Sequence, residues 1–161
     1  MITKSELEEV IYIVKGLRHY EWLVSIQPLQ KHYMVTTTPQ KYEEVLRKIG
    51  YTEPEEPTNY RCAVEDMTFS FVKSGNPCGF SEDALEEVIQ KCTPLKKYES
   101  LMVELQNSHG RRETCINFMF YDNNRLQELF NELEIAPVHK KDEFGMHIMC
   151  IQYEGVKIIF H

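Results

Sequence analysis

The sequence predicts an α+β fold built by tandem duplication of an α-β-β-α-β-β unit, with mainly antiparallel sheets and pseudo-twofold symmetry. Two observations carry this expectation. The segment 5–23 repeats at 83–101 with a constant offset of 78: Leu7/Leu85, Glu8/Glu86, Glu9/Glu87, Val10/Val88, Ile11/Ile89, Leu17/Leu95, Tyr20/Tyr98, Glu21/Glu99 and Leu23/Leu101 are identical pairs. Unrelated windows of that length match at about one position by average residue usage. The second observation is the order of patterns beyond the identities, which is the same in both halves. The 161 residues are 42% hydrophobic and 27% charged, the composition of a globular chain.

The elements follow in order. Thr3 with Glu6 makes a capping-box start for the first helix. Two strand-like runs follow at 22–27 and His32–Thr37. Thr38 and Pro39 then open a second helix, with Tyr42, Val45, Leu46 and Ile49 on one face and Gly50 as its stop. A hairpin of 60–65 and 67–73, turning near Glu65-Asp66, closes the first copy. Ser81, followed by Glu82 and Asp83, starts the helix of the second copy. Strand runs at 100–106 and 114–121 precede a helix capped by Asp122, whose apolar face is Leu126, Leu129, Phe130 and Leu133. A last hairpin of 146–153 and 156–160 turns at Glu154-Gly155, where glycine accepts positive φ. The expected organisation is a first repeat at 1–73, a linker at 74–80 (Phe80 ends it) and a second repeat at 81–161. Each copy, at about 78 residues, is marginal alone, so the two are expected to form one fused unit.

Charge and cysteine usage bound the function. Eighteen Lys and Arg against 25 Asp and Glu give a net charge of −7, which opposes direct nucleic-acid binding. No apolar run reaches the roughly 18 residues of a membrane span, and acids interrupt the N-terminal segment where a signal peptide needs an apolar core. Five cysteines without CxxC spacing predict reduced thiols and a cytoplasmic location. Alanine occurs only at 63, 84 and 136, as an AT-rich coding genome such as that of a phage or a low-GC bacterium would produce.

Three family resemblances bear on fold and site. The segment 115–160, with a strand, a helix after Asp122 and a closing hairpin, resembles the βαβββ module that vicinal-oxygen-chelate (glyoxalase- and bleomycin-resistance-like) proteins duplicate; 32–73 is similar in outline. That resemblance implies ligands on the first and last strands of each module. His32 suits a first strand, but Met67–Lys73 and Val156–Phe160 hold no Glu or His, so only metal-free binding is implied. The chain is also similar in length and duplication to GyrI-like effector-binding domains, which implies a small, often cationic ligand and a glutamate among aromatics, with Glu104 as candidate. The repeat order also matches LAGLIDADG endonucleases. The first-helix ends, Val14-Lys15-Gly16-Leu17 and Cys92-Thr93-Pro94-Leu95, lack the carboxylate that would bind magnesium there.

No serine-nucleophile, phosphate-loop or HExxH motif is present, so no catalytic residue, metal ligand or cofactor is expected. The binding candidates are Trp22, His32, Glu104, Arg111 and Arg112. Trp22 aligns with Ser100, an asymmetry suited to a one-sided pocket. Arg111 and Arg112, in the run His109–Glu113, offer guanidinium forks to a phosphate or carboxylate, or form a solvated hairpin tip. The expected function is therefore non-enzymatic binding of a small ligand or protein partner at the seam between repeats, as a monomer or homodimer. The alternatives are an acidic phage-type inhibitor or mimic docking on a basic host enzyme, and a vicinal-oxygen-chelate-like enzyme.

Overall fold

The computed structural model describes residues 2–37, 44, 59–64, 67–73, 80–98, 100–108, 111–119 and 123–161. The fold is α+β with mixed sheet pairing. In chain order the elements are α1 (Lys4–Lys15), β1 (Leu23–Gln27), β2 (His32–Thr37), β3 (Asn59–Val64), β4 (Met67–Lys73), α2 (Glu82–Cys92), a 3₁₀ turn (Thr93–Lys97), β5 (Leu101–Ser108), β6 (Arg111–Phe118), α3 (Asn123–Leu133), β7 (Val138–Lys141), β8 (His147–Tyr153) and β9 (Val156–Phe160). The predicted helix at 39–49, the turn at 65–66, the linker at 74–79 and the Asp122 cap lie outside the described residues.

Local chemistry explains the helix starts. Thr3 Oγ1 accepts from the Glu6 amide at 3.2 Å, and Glu6 Oε2 accepts from the Thr3 amide at 2.9 Å, the reciprocal pair of a capping box. Ser81 Oγ accepts from the Ala84 amide at 3.1 Å and starts α2 in the same way. Thr3→Ala removes the α1 cap and is expected to cost about 1 kcal/mol of unfolding free energy, read as a lowered urea midpoint.

The chain divides into two compact units, 1–18 with 98–161, and 19–97. Relative to the predicted copies, the leading helices are exchanged. Helix α1 belongs to the unit holding β5–β9, and α2 to the unit holding β1–β4. In the 19–97 unit the strand order is β3-β4-β2-β1, with β2 parallel to β4 and the other pairs antiparallel. In the other unit the order is β5-β6-β9-β8-β7, with β6 parallel to β9 and the other pairs antiparallel. Strands β1-β2-β4-β3 and β5-β6-β9-β8 thus run in the same order and directions.

In the 19–97 unit, aromatic edges organise the interior. Tyr20 meets Trp22 at 5.6 Å and Trp22 meets Phe80 at 5.2 Å between ring centroids, both edge-on. The Trp22 carbonyl accepts from the Thr36 amide at 2.6 Å, so its backbone is tied to β2. Lys91, near the end of α2, donates to the Tyr20 hydroxyl at 2.8 Å. That hydrogen bond, together with nearby Glu87, holds the lysine's pKa above its ordinary value despite partial desolvation.

In the other unit, one face of the sheet packs on helices. Strand registers put Val103, Ile116, Ile158 and Ile151 in one lateral row, and Leu101, Phe118, Phe160 and Met149 in the next. Phe160 stacks on Phe118 at 5.5 Å and meets Phe130 of α3 edge-on at 5.6 Å. Tyr153, on this same face, donates to Glu8 of α1 at 3.0 Å. Burial and then Glu8 push the tyrosine's pKa up. Leu7, Val10, Ile11 and Val14 of α1 and Leu126, Leu129 and Phe130 of α3 are buried. Alternation along each strand therefore sends Met102, Glu104, Cys115, Asn117, Lys157, Ile159 and Gln152 to the opposite face.

Strand β7 lies between the last helix and the closing hairpin, where the sequence pattern places no element. Its residues, Val138-His139-Lys140-Lys141, are all exposed and only one is apolar, so no alternation marks it. Pairing with β8 supplies what the side chains do not. Strands β5 and β6 also extend further than the hydrophobic pattern suggests, through Ser108 and from Arg111.

Candidate functional site

The face opposite the helices in the β5–β9 unit carries a polar row. In β5–β6 pairing Glu104 stands opposite Cys115, in β6–β9 pairing Cys115 stands opposite Lys157, and in β8–β9 pairing Lys157 stands opposite Gln152. An acid, a thiol, a cation and an amide thus lie side by side across four strands. Two strand spacings separate Glu104 from Lys157, about 10 Å at the backbone. Glu104 and Cys115 are half-buried, while Lys157 and Gln152 are exposed.

This row lines an open cleft of about 870 Å³. Arg18, Glu113, Thr114, Lys140, Gly155 and Ile159 complete its walls. Three cationic side chains, Arg18, Lys140 and Lys157, thus line the cleft beside two acidic ones in a chain whose net charge is −7. Arg18, just after α1, is fixed at the β8–β9 turn. Its Nε donates to Thr114 Oγ1 at 2.8 Å and an Nη donates to the Gly155 carbonyl at 3.1 Å. A guanidinium carries five N–H donors, so these two bonds orient it and leave others for a bound group.

The turn that receives Arg18 depends on backbone freedom. Glu154 has φ +52° and Gly155 φ +77°, the left-handed pair of a two-residue hairpin turn. A neighbouring network holds Asn117. Its Oδ1 is 3.0 Å from His161 Nε2, and its Nδ2 donates weakly to Cys115 Sγ at 3.7 Å. His161 also donates its amide to the Phe118 carbonyl at 2.9 Å, extending the parallel pairing past β9.

Cys115 is the thiol of the cleft. Burial, and secondarily the negative charge of Glu104, push its pKa up to about 11, against the opposing effect of Lys157. At neutral pH the thiol stays protonated and is a poor nucleophile.

Of the residues singled out from sequence, Glu104 lies in this cleft. Trp22 is 2% exposed and packs against Phe80 inside the 19–97 unit. His32, half-buried at the start of β2, has its Nε2 2.7 Å from Ser70 Oγ, and Ser70 is itself buried. The backbones of Arg111 and Arg112 are in the β6 ladder, opposite Ser108 and Asn107, rather than in the hairpin turn. Their side chains lie outside the described residues. Sequence reasoning passed over Lys157, Gln152, Arg18 and Cys115. Alternation in 156–160 marks Lys157 as facing away from the core, but its neighbour Cys115 is 42 positions away and meets it only through the parallel β6–β9 register.

Among the described residues no group of three or more His, Cys, Asp or Glu converges on a metal-sized space, and no helix is long and apolar enough to cross a membrane. Comparison with protein-family models, curated proteins and solved structures gives no match.

Proposed function

We propose that this chain is a non-enzymatic binding protein whose cleft on the β5–β9 sheet takes a small ligand bearing both an anionic and a cationic group. The observation that carries this reading is the row Glu104-Cys115-Lys157-Gln152 across the cleft floor. An anionic group is served by Lys157, with Arg18 and Lys140 also on the cleft wall, since carboxylate and phosphate oxygens accept charge-assisted hydrogen bonds. A cationic group is served by Glu104, whose backbone lies about 10 Å from that of Lys157, and by Glu113. Gln152 offers both a donor and an acceptor between them. The raised pKa of Cys115 supports binding over covalent chemistry.

The same strand order and directions in β1-β2-β4-β3 and β5-β6-β9-β8 support the duplication inferred from the 78-residue repeat. The succession β6-α3-β7-β8-β9 also supplies the full βαβββ order of the vicinal-oxygen-chelate module over 115–160, because β7 adds the strand that the sequence pattern lacks. On this reading the duplicated scaffold serves as a binding fold. Its last strand presents Lys157 to the cleft where metal-dependent members would present a carboxylate or imidazole.

Thermal-shift screening against amino acids, amino-phosphates and simple carboxylates tests the proposal. A zwitterionic compound is expected to stabilise the native chain, and Lys157→Glu to weaken that response by roughly 10-fold or more in affinity. Because Lys157 is exposed, the variant should retain native stability within about 0.5 kcal/mol. Stabilisation by apolar compounds alone, or an undiminished response in Lys157→Glu, would contradict the proposed ligand chemistry.

A further inference from the structure

On the other face of the β7–β8 hairpin from Lys140, two imidazoles meet. His139 Nδ1 lies 3.2 Å from His147 Nε2, with ring centroids 5.3 Å apart and planes inclined by 32°. Both residues are exposed. The pairing of His139 with Met149 and of Lys141 with His147 makes the two histidines diagonal neighbours on one face of an antiparallel ladder. We propose that this pair is a binding site for a borderline divalent transition cation, of the class of Cu(II), Ni(II) and Zn(II).

The separation fits that role. With metal–nitrogen bonds of about 2.0–2.1 Å, two nitrogens 3.2 Å apart subtend an angle of about 100° at the cation. That lies between the square-planar and tetrahedral values, so neither ring has to move far to exchange the shared proton for a metal. Neutral imidazole nitrogen is a favoured ligand for these cations, and copper(II) should bind most tightly of the three. Water completes the coordination from the exposed side. Lys141, opposite His147, is exposed and flexible enough to swing its ammonium into solvent.

The hairpin holds the pair ready. Asp142 Oδ1 accepts from the Phe144 amide at 2.9 Å and from the Met146 amide at 2.8 Å. The Asp142 amide donates to the Met146 carbonyl at 2.9 Å, and the Gly145 amide donates to the Asp142 carbonyl at 3.0 Å. Gly145 takes φ +79°, which any side chain would strain. These bonds fix the β7–β8 register and so keep both imidazoles within chelating distance without a cost paid on binding. The Asp142 oxygen that receives two amides is committed to the turn, so the site rests on the two imidazoles.

The test is a titration of the full chain with zinc ion alone, followed by long-range proton–nitrogen NMR of the histidine rings. The ring nitrogens of His139 and His147 are expected to shift together and saturate at one equivalent. His139→Gln and His147→Gln should each weaken zinc binding at this site by roughly 10-fold or more, because each removes the chelate advantage. Copper(II) should displace the zinc. Immobility of both rings on saturation with zinc, or shifts of the remaining ring that persist at full affinity in the single variants, would overturn the assignment. Both side chains are exposed, so loss of fold does not confound the variants.

Discussion

Replacing Phe160 by alanine is expected to lower the unfolding free energy by about 3–5 kcal/mol. Its ring is 1% exposed, stacks on Phe118 and meets Phe130 of α3. Truncation removes burial of an aromatic side chain and leaves a cavity at the junction of β6, β9 and α3, whose lining is held by backbone pairing and cannot collapse freely. Three positions along the same strand from Phe160, alternation puts Lys157 on the opposite face and gives a built-in control. Lys157→Ala, exposed on the cleft face, should change stability by no more than about 0.5 kcal/mol. Urea unfolding monitored by circular dichroism checks both. Equal effects of the two substitutions would mean that the assignment of strand faces is wrong.

Alkaline pH should destabilise the fold through its cysteines. Cys92, 1% exposed at the end of α2, has its pKa pushed up to about 12 by burial, against the opposing charges of Lys91 and Lys96. Cys115 is raised to about 11 by burial and then by Glu104. Both thiols therefore hold their protons in the folded state at pH values where an unfolded cysteine, with a pKa of about 8.5, has lost its own. The stabilisation is complete below about pH 8.5 and falls as pH rises towards 11 and 12, with a limiting slope of about 1.4 kcal/mol per pH unit for each group. Urea midpoints at pH 8 and pH 10 measure the fall. The double variant Cys92→Ala, Cys115→Ala should start from lower stability and show a shallower decline over that interval. An equally steep decline in the double variant would assign the alkaline loss to other groups.

Much of the scaffold was legible because its determinants are local. Thr3 and Glu6, Ser81, and Glu154-Gly155 each act within a few residues, and each produces the cap or turn its chemistry predicts. Strands β2 and β9 fall where apolar β-formers accumulate. Strand β7 was illegible since its stability comes from β8 and not from a buried face. The exchange of α1 and α2 between compact units was also illegible: an amphipathic helix records that one face is apolar, but not which sheet covers it. The candidate cleft is the strongest instance. Of its central row only Glu104 is a candidate from sequence, and only the registers of three strand pairs bring it into line with Cys115, Lys157 and Gln152.

The central claim, that this cleft holds a small ligand with opposed charges, is tested most directly by backbone amide NMR. The uniformly labelled full chain is titrated with the zwitterionic compound giving the largest thermal shift. The account predicts saturable shift changes concentrated at Glu104, Cys115, Gln152 and Lys157 and at the Arg18 and Gly155 amides, and their loss in Lys157→Glu. Shift changes that leave this row unmoved, or that persist unchanged in Lys157→Glu, would contradict it.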